Sequence, residues 1–92
     1  MSREFGIRLY HLRLHKTELS QTQIADLLHL ERSTYTKYES GVSETSLQTL
    51  RKLQKIFGVS FDELLNEELT ETEIADYELS RKNRIIQTDP PS

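Results

Sequence analysis

The stretch Ser20–Gly41, SQTQIADLLHLERSTYTKYESG, decides the fold of this 92-residue chain. It begins with a capping box, in which the Ser20 hydroxyl accepts from a free backbone N–H and Gln23 reaches back. Apolar residues then recur at helical spacing over residues 21–28, and a second short helix is predicted over residues 32–39, before the closing glycine. The stretch therefore predicts two short helices joined by a turn near His29.

The second of these helices has a polar side and an aromatic side. On a helical wheel its hydrogen-bond donors fall together: Arg32, Ser33, Thr36 and Lys37. Tyr35 and Tyr38 fall on the other side, which suits a core. Two helices joined in this way cross at a wide angle, and the second can enter the major groove of DNA. The exposed donors match the acceptors of base edges and phosphates.

Helical spacing continues on both sides of this stretch, and no segment alternates as a half-buried strand does. We predict helices over residues 3–16, 21–28, 32–39, 46–57 and 61–67, with a sixth near 71–83. Further capping boxes are predicted to begin at Thr45, Ser60 and Thr70, and Gly58 is predicted to end a helix. The chain is therefore expected to be all-α, a five-helix bundle with an extra C-terminal helix.

Three segments follow from this pattern. Residues 1–68 are predicted to form a helix-turn-helix DNA-binding domain, residues 69–86 a C-terminal extension, and residues 87–92 a flexible tail. The extension is more apolar than a free tail requires, at Ile74, Tyr77, Ile85 and Ile86. We expect it to pack back on the domain or to form a dimer contact, in preference to remaining disordered. We expect it to support self-association and not to read DNA.

The net charge of −3 is divided unevenly along the chain. Residues 1–59 carry nine Lys or Arg against six Asp or Glu, whereas residues 60–92 carry three against nine. Eight carboxylates and no Lys or Arg lie between Asp62 and Glu78. A basic N-terminal module is compatible with DNA binding on one face, and the acidic segment would be repelled by phosphate.

Other classes of protein find little support. The chain has no Cys, which excludes disulfides and thiolate metal sites and fits a reducing cytosol. His11 and His15 have the i, i+4 spacing of metal ligands, but no third ligand is evident. No Ser–His–acid arrangement, glycine-rich phosphate loop or membrane-length apolar run occurs. We therefore expect a cytoplasmic protein, associated with the nucleoid when bound to DNA, that is not an enzyme and has no metal or cofactor.

The chain from Phe5 to Leu65 resembles the lambda-repressor/Cro family of helix-turn-helix domains, also called the XRE family. The residues that carry the resemblance are Leu12-Arg13, Leu19-Ser20-Gln21, Ile24-Ala25, Arg32-Ser33-Thr34, Tyr38-Glu39-Ser40-Gly41, Leu50, Leu53 and Gly58-Val59-Ser60-Phe61-Asp62-Glu63-Leu64. The resemblance implies a five-helix bundle that binds operator DNA as a homodimer. The expected function is a transcriptional regulator, in particular a repressor at a palindromic operator.

The resemblance also assigns roles to individual residues. It implies base contacts by Arg32, Ser33, Thr36 and Lys37. It implies phosphate contacts by Gln21 and Ser40, and a structural pair, Arg13 with Glu39, that ties the first helix to the recognition helix. The chain departs from the family by one additional residue between Arg13 and Ser20, and by His29, Glu31 and Gln54 at the positions of a turn Gly, a cap Ser or Thr, and a core Ala.

A second function remains open from the sequence. The same fold serves as a protein-binding module, such as an antitoxin or a regulator whose main partner is another protein. The acidic C-terminal third favours this alternative and offers a surface for a protein partner.

Overall fold

The computed structural model describes residues 2–86, with side chains in residues 2–82. Its six helices are α1 (Arg3–Lys16), α2 (Gln21–Leu27), α3 (Arg32–Glu39), α4 (Leu47–Phe57), α5 (Phe61–Leu64) and α6 (Glu71–Ile86). No strand occurs in this part of the chain, so the predicted all-α class with an extra C-terminal helix is confirmed. Helix α5 is shorter than predicted and α6 is longer. The predicted flexible tail, residues 87–92, lies outside the described residues.

Side-chain caps begin most of the helices where the sequence predicted them. Ser20 accepts from the Gln23 N–H while Gln23 reaches back to the Ser20 N–H, which completes the capping box of α2. Thr70 and Glu73 form the same reciprocal pair before α6, at 2.9 and 3.1 Å. The box predicted from Thr45 is wrong by one residue. Ser46 has the extended backbone of a cap and accepts from the Thr49 N–H at 3.1 Å, so α4 begins at Leu47.

One buried cluster joins the first five helices. It consists of Phe5, Leu9, Leu12, Ile24, Ala25, Leu28, Tyr35, Tyr38, Leu50, Leu53, Phe57, Val59 and Leu64. Helix α1 contributes residues from one of its faces, and helices α2 to α5, with Leu28 and Val59 next to their ends, contribute the rest of the cluster. Burial of apolar surface on this scale is the main stabilising contribution to a bundle of this size.

Helix α6 packs on the opposite face of α1 and does not extend away from the domain. Tyr77 is 4% exposed and forms a second small cluster with Ile7 and Tyr10, against which Leu69 packs. The Tyr10 and Tyr77 rings meet edge to face, with centroids 5.4 Å apart. The extension therefore packs back on the domain through Tyr77. The side chains of Ile85 and Ile86, on which the predicted dimer contact also depended, lie outside the described residues.

Polar contacts fix the start of α6 against α1. Arg8 Nη1 donates to Glu73 Oε2 at 3.0 Å, and Arg8 also donates to the carbonyl oxygens of Asn66 and Glu68. Buried His11 donates from Nε2 to the Glu73 carbonyl oxygen at 2.7 Å. The hydrogen bond from the Thr70 N–H lowers the pKa of the Glu73 carboxyl; burial opposes this effect, and the charge of Arg8 adds to it.

Each departure from the family pattern has a local structural outcome. Between Arg13 and Ser20, where the additional residue falls, α1 runs on to Lys16, and Thr17 Oγ1 then donates to the Arg13 carbonyl oxygen and accepts from the Leu19 N–H. His29 takes a positive φ of 57° in the turn that the family makes with Gly. Glu31 precedes α3 without a side-chain cap hydrogen bond, and Gln54 is half-buried. No helix within residues 2–86 is both long and apolar enough to cross a membrane.

Candidate nucleic-acid interface

The outer side of α3 presents polar groups to solvent. Arg32, Ser33 and Lys37 are exposed. Among the side chains described, those of residues 2–82, none forms a hydrogen bond or ion pair with Arg32 or Lys37, and both cations are exposed to an external ligand. Thr36 is half-buried, and its hydroxyl donates to the Arg32 carbonyl oxygen at 2.8 Å. Three of the four predicted base-contacting residues thus project freely.

The inner side of α3 is aromatic and buried, as the helical wheel predicted. Tyr35 and Tyr38 belong to the main core, and their rings meet edge to face with centroids 6.2 Å apart. Burial raises the pKa of Tyr35 well above its usual value, and the neighbouring Glu39 carboxylate adds to the effect. Tyr35 therefore stays neutral and serves as a packing residue.

A buried ion pair ties the C-terminal end of α3 to α1. Arg13 donates from Nε to Glu39 Oε2 at 2.8 Å and from Nη2 to Oε1 at 3.3 Å. Only 9% and 4% of the two side chains are exposed. Burial acts to lower the pKa of Arg13, but the hydrogen bond and charge of Glu39 outweigh it and raise the pKa, so the guanidinium remains charged. The bidentate pair sets the position of α3 relative to α1.

Gln21 lies beside this pair and not at the surface. It is 5% exposed, and its Nε2 donates to Glu39 Oε1 at 2.9 Å. A phosphate contact through this side chain would require it to leave Glu39, so the contact stays a prediction. Sequence reasoning missed the burial because it depends on how α2 and α3 dock, which the spacing of residues does not reveal.

The end of α3 lies very close to the start of α1. A Cβ atom at Gly6 would collide with the Glu39 carbonyl oxygen and would stand 2.9 Å from the Gly41 nitrogen. Ser40 is half-buried and caps the helix, donating from Oγ to the Lys37 carbonyl oxygen at 3.2 Å. The oxygen of Ser40, the second predicted phosphate contact, is therefore held at the rim of this junction.

Two residues of α6 adjoin the end of α3, which the sequence did not indicate. The Tyr77 hydroxyl donates to the Glu39 carbonyl oxygen at 2.9 Å, and Arg81 Nη1 donates to the Tyr77 hydroxyl at 2.9 Å. A cavity of about 140 Å³ lies beside this contact, between α6 and the end of α3, and its lining includes Thr36, Ser40, Tyr77 and Arg81. The i, i+4 spacing of Tyr77 and Arg81 indicated that they neighbour each other on α6, but not that they meet α3.

The helix-turn-helix family model matches residues 9–64. The SPbeta prophage-derived transcriptional regulator YonR of Bacillus subtilis is 49% identical over 61 residues, which cover 66% of this chain and 56% of that protein. The CTXphi transcriptional repressor RstR of Vibrio cholerae is 33% identical over 84 residues, covering 91% and 72%. The transcriptional activator BcrR of Enterococcus faecalis is 39% identical over 74 residues, covering 76% and 36%.

The matched part of the chain spans about a third of BcrR and about half of YonR. No solved structure gives a significant match. The family match covers α2 and α3 together with most of α1 and all of α4 and α5, whereas α6 lies beyond it.

Proposed function

This chain belongs to the helix-turn-helix family, and we propose that it is a transcriptional regulator that binds double-stranded DNA sequence-specifically. The observation that carries the proposal is the division of α3 into two faces. Its buried face is fixed to α1 by Arg13 and Glu39, while Arg32 and Lys37 project from the other face without partners among the described residues. A rigidly held helix with free donors is what reading of a major groove requires.

The two kinds of contact have different chemistry. An Arg or Lys side chain donates to the O6 and N7 acceptors of guanine, which distinguishes base pairs in the major groove. We assign this role to Arg32 and Lys37, with Ser33 and Thr36 as further base contacts. Ser40 would hold a phosphate, and Gln21 would hold another only after its side chain leaves Glu39. Such contacts fix the register of the helix but carry no sequence information.

The proposed assembly is a homodimer on a palindromic operator, because two recognition helices about 34 Å apart enter successive major grooves of one DNA face. Two exposed leucines offer apolar surface for self-association: Leu79 on α6, 58% exposed, and Leu65 at the end of α5, 42% exposed. The relatives include a repressor, RstR, and an activator, BcrR; for this chain we propose repression by promoter occupancy. We place the protein in the cytoplasm, at the nucleoid when bound, without catalytic activity or cofactor.

The test of DNA binding is selection from a random duplex library, followed by titration of the selected duplex at several salt concentrations. Each neutralised phosphate contributes a slope of about −0.9 in a plot of log affinity against log salt. A dimer on two half-sites should give a slope of several units and should bind the selected duplex more tightly than an unrelated one. Failure to enrich any sequence, with affinity independent of salt, would contradict the proposal.

A protein-binding role is the second candidate, and the acidic surface of the C-terminal part favours it. Of the eight carboxylates from Asp62 to Glu78, seven are exposed and Glu73 is half-buried. Such a surface suits a basic protein partner. The selection experiment separates the two functions, because a module that binds only protein enriches no duplex.

A further inference from the structure

We propose that Arg81 of α6 binds a DNA backbone phosphate at the C-terminal end of the recognition helix. The proposal rests on the proposed function and extends the interface to a helix outside the family match.

The position of Arg81 is set by contacts that lead to α3. Arg81 Nη1 donates to the Tyr77 hydroxyl at 2.9 Å, and that hydroxyl donates to the Glu39 carbonyl oxygen at 2.9 Å. The guanidinium carbon also lies 5.7 Å from the centroid of the Tyr77 ring. Tyr77 is buried, so this arrangement gives Arg81 a firm base at the last turn of α3.

The same cavity connects Arg81 with the predicted DNA contacts. Arg81 lines it together with Thr36, Ser40 and Gln21, which are the residues assigned to a base contact and two phosphate contacts. DNA that lies along α3 and meets Ser40 therefore passes the mouth of this cavity. A cation at its edge can reach the same stretch of backbone.

Arg81 has the donors for an anion and few competitors for them. A guanidinium carries five N–H donors, and among the described contacts one of them is engaged. The neighbouring shallow groove adds two cations, Arg3 and Lys82, and one carboxylate, Glu78, which pairs with Arg3 at 2.7 Å. Glu39, which also lines the cavity, is paired with Arg13. The local charge is therefore positive, which suits phosphate.

The acidic character of the extension does not conflict with this position. The carboxylates of α6 lie in its first half, up to Glu78, where Glu73 is held by Arg8 on α1. Arg81 and Lys82 follow one turn later, and Arg81 lines the cavity together with Ser40 at the end of α3. The extension was expected not to read DNA because its first half is acidic and would be repelled by phosphate. This reason does not apply to the turn that contains Arg81 and Lys82.

The experiment compares variants of the full chain on the library-selected duplex and on an unrelated duplex of the same length. Arg81→Met keeps the aliphatic packing over Tyr77 but removes the charge. It should make the plot of log affinity against log salt less steep by about 0.9 per subunit. At 0.15 M salt, a slope change of this size corresponds to roughly five-fold weaker binding per subunit, on both duplexes. Arg81→Lys should keep the slope of the wild type. Lys55→Met removes one exposed charge from α4, away from this cavity, and should leave slope and affinity unchanged.

Thermal unfolding of each variant checks that α6 remains docked. An Arg81→Met variant that melts like the wild type and loses slope and affinity supports the proposal. A wild-type slope in Arg81→Met, or an equal loss in Arg81→Lys or Lys55→Met, overturns it. If the wild-type chain itself binds no duplex in a salt-dependent manner, the proposed function fails first, and this result is distinct from a failure of Arg81 alone.

Discussion

Replacing Glu39 by Gln should destabilise the domain far more than removing an ion pair at its surface. Glu39 Oε2 accepts from Arg13 at 2.8 Å, and Glu39 Oε1 accepts from Gln21 at 2.9 Å. The substitution keeps the size of the side chain but leaves the buried Arg13 guanidinium without a counter-charge. Breaking one side of a buried pair costs about 3–5 kcal/mol. Since a neutral amide still accepts one bond, we expect a loss of about 3 kcal/mol, toward the lower end of that range.

Urea unfolding followed by circular dichroism measures this loss. For a small domain the slope is about 1–3 kcal/mol per molar urea, so the midpoint should fall by about 1–3 M. The matched control is Glu63→Gln, which removes the Lys16–Glu63 pair, where the atoms are 3.8 Å apart and both side chains are nearly half exposed. That change should cost less than about 1 kcal/mol. Equal small losses in both variants would refute a positioning role for the buried pair.

The double variant Arg13→Met, Glu39→Met refines the interpretation. It leaves no uncompensated charge, so it should recover part of the stability lost in Glu39→Gln. If the double variant is less stable than Glu39→Gln, the cost lies in lost hydrogen bonds and not in the unpaired Arg13 charge.

Three further predictions concern packing, pH and assembly. Gly6→Ala should lower the free energy of unfolding in urea by about 3 kcal/mol, because its Cβ would meet backbone atoms at the end of α3. Gly58→Ala should lower it by only about 1 kcal/mol, because a Cβ there enters open space and only the positive φ is unfavourable. Because folding lowers the pKa of Glu73, its ionised carboxylate stabilises the fold, fully so above about pH 4.5. This contribution is lost as the pH falls through the lowered pKa, so Glu73→Gln should flatten the acid side of a plot of unfolding free energy against pH. If α6 carries the dimer contact, Leu79→Glu should shift sedimentation toward monomer; an unchanged dimer would direct attention to Leu65.

The packing of α6 on α1 makes truncation an ambiguous test of the role of the extension. Truncation at Leu69 would expose Ile7 and Tyr10 and remove the carbonyl oxygen that binds His11. Loss of dimerisation in such a variant would then be confounded with loss of stability. A point substitution at the exposed Leu79 avoids this problem, because that side chain is not part of the packing on α1.

Local signals in the sequence predicted the helices well because they act over a few residues. The capping boxes at Ser20 and Thr70 were predicted because a Gln or Glu follows each hydroxyl residue three positions later. Both capping boxes form in the structure. Where two hydroxyls compete, as at Thr45 and Ser46, spacing alone does not decide which residue takes the extended backbone of the cap. The prediction that Tyr35 and Tyr38 face the core was correct, because the helical period and the polarity of the residues in α3 indicate the same buried side.

Features that depend on the docking of distant segments were beyond the sequence. The burial of Gln21 requires α2, α3 and α1 to meet at one point. The contact between Tyr77 and Glu39 joins residues 38 positions apart, through a main-chain oxygen that has no side-chain signature. The sequence therefore predicted the exposed face of α3, but not the contact between α6 and the end of α3.

The most direct test of the account is a base-substitution series on the selected duplex, measured with the wild type and with Arg32→Ala, Lys37→Ala and Ser40→Ala. If α3 reads bases, Arg32→Ala or Lys37→Ala should lose about 1–3 kcal/mol on the selected duplex and cease to discriminate at one base-pair position, while other positions keep their preference. Ser40→Ala should weaken all duplexes about equally. A uniform loss in all three variants, with every positional preference retained, would contradict the claim that the exposed face of α3 reads DNA sequence.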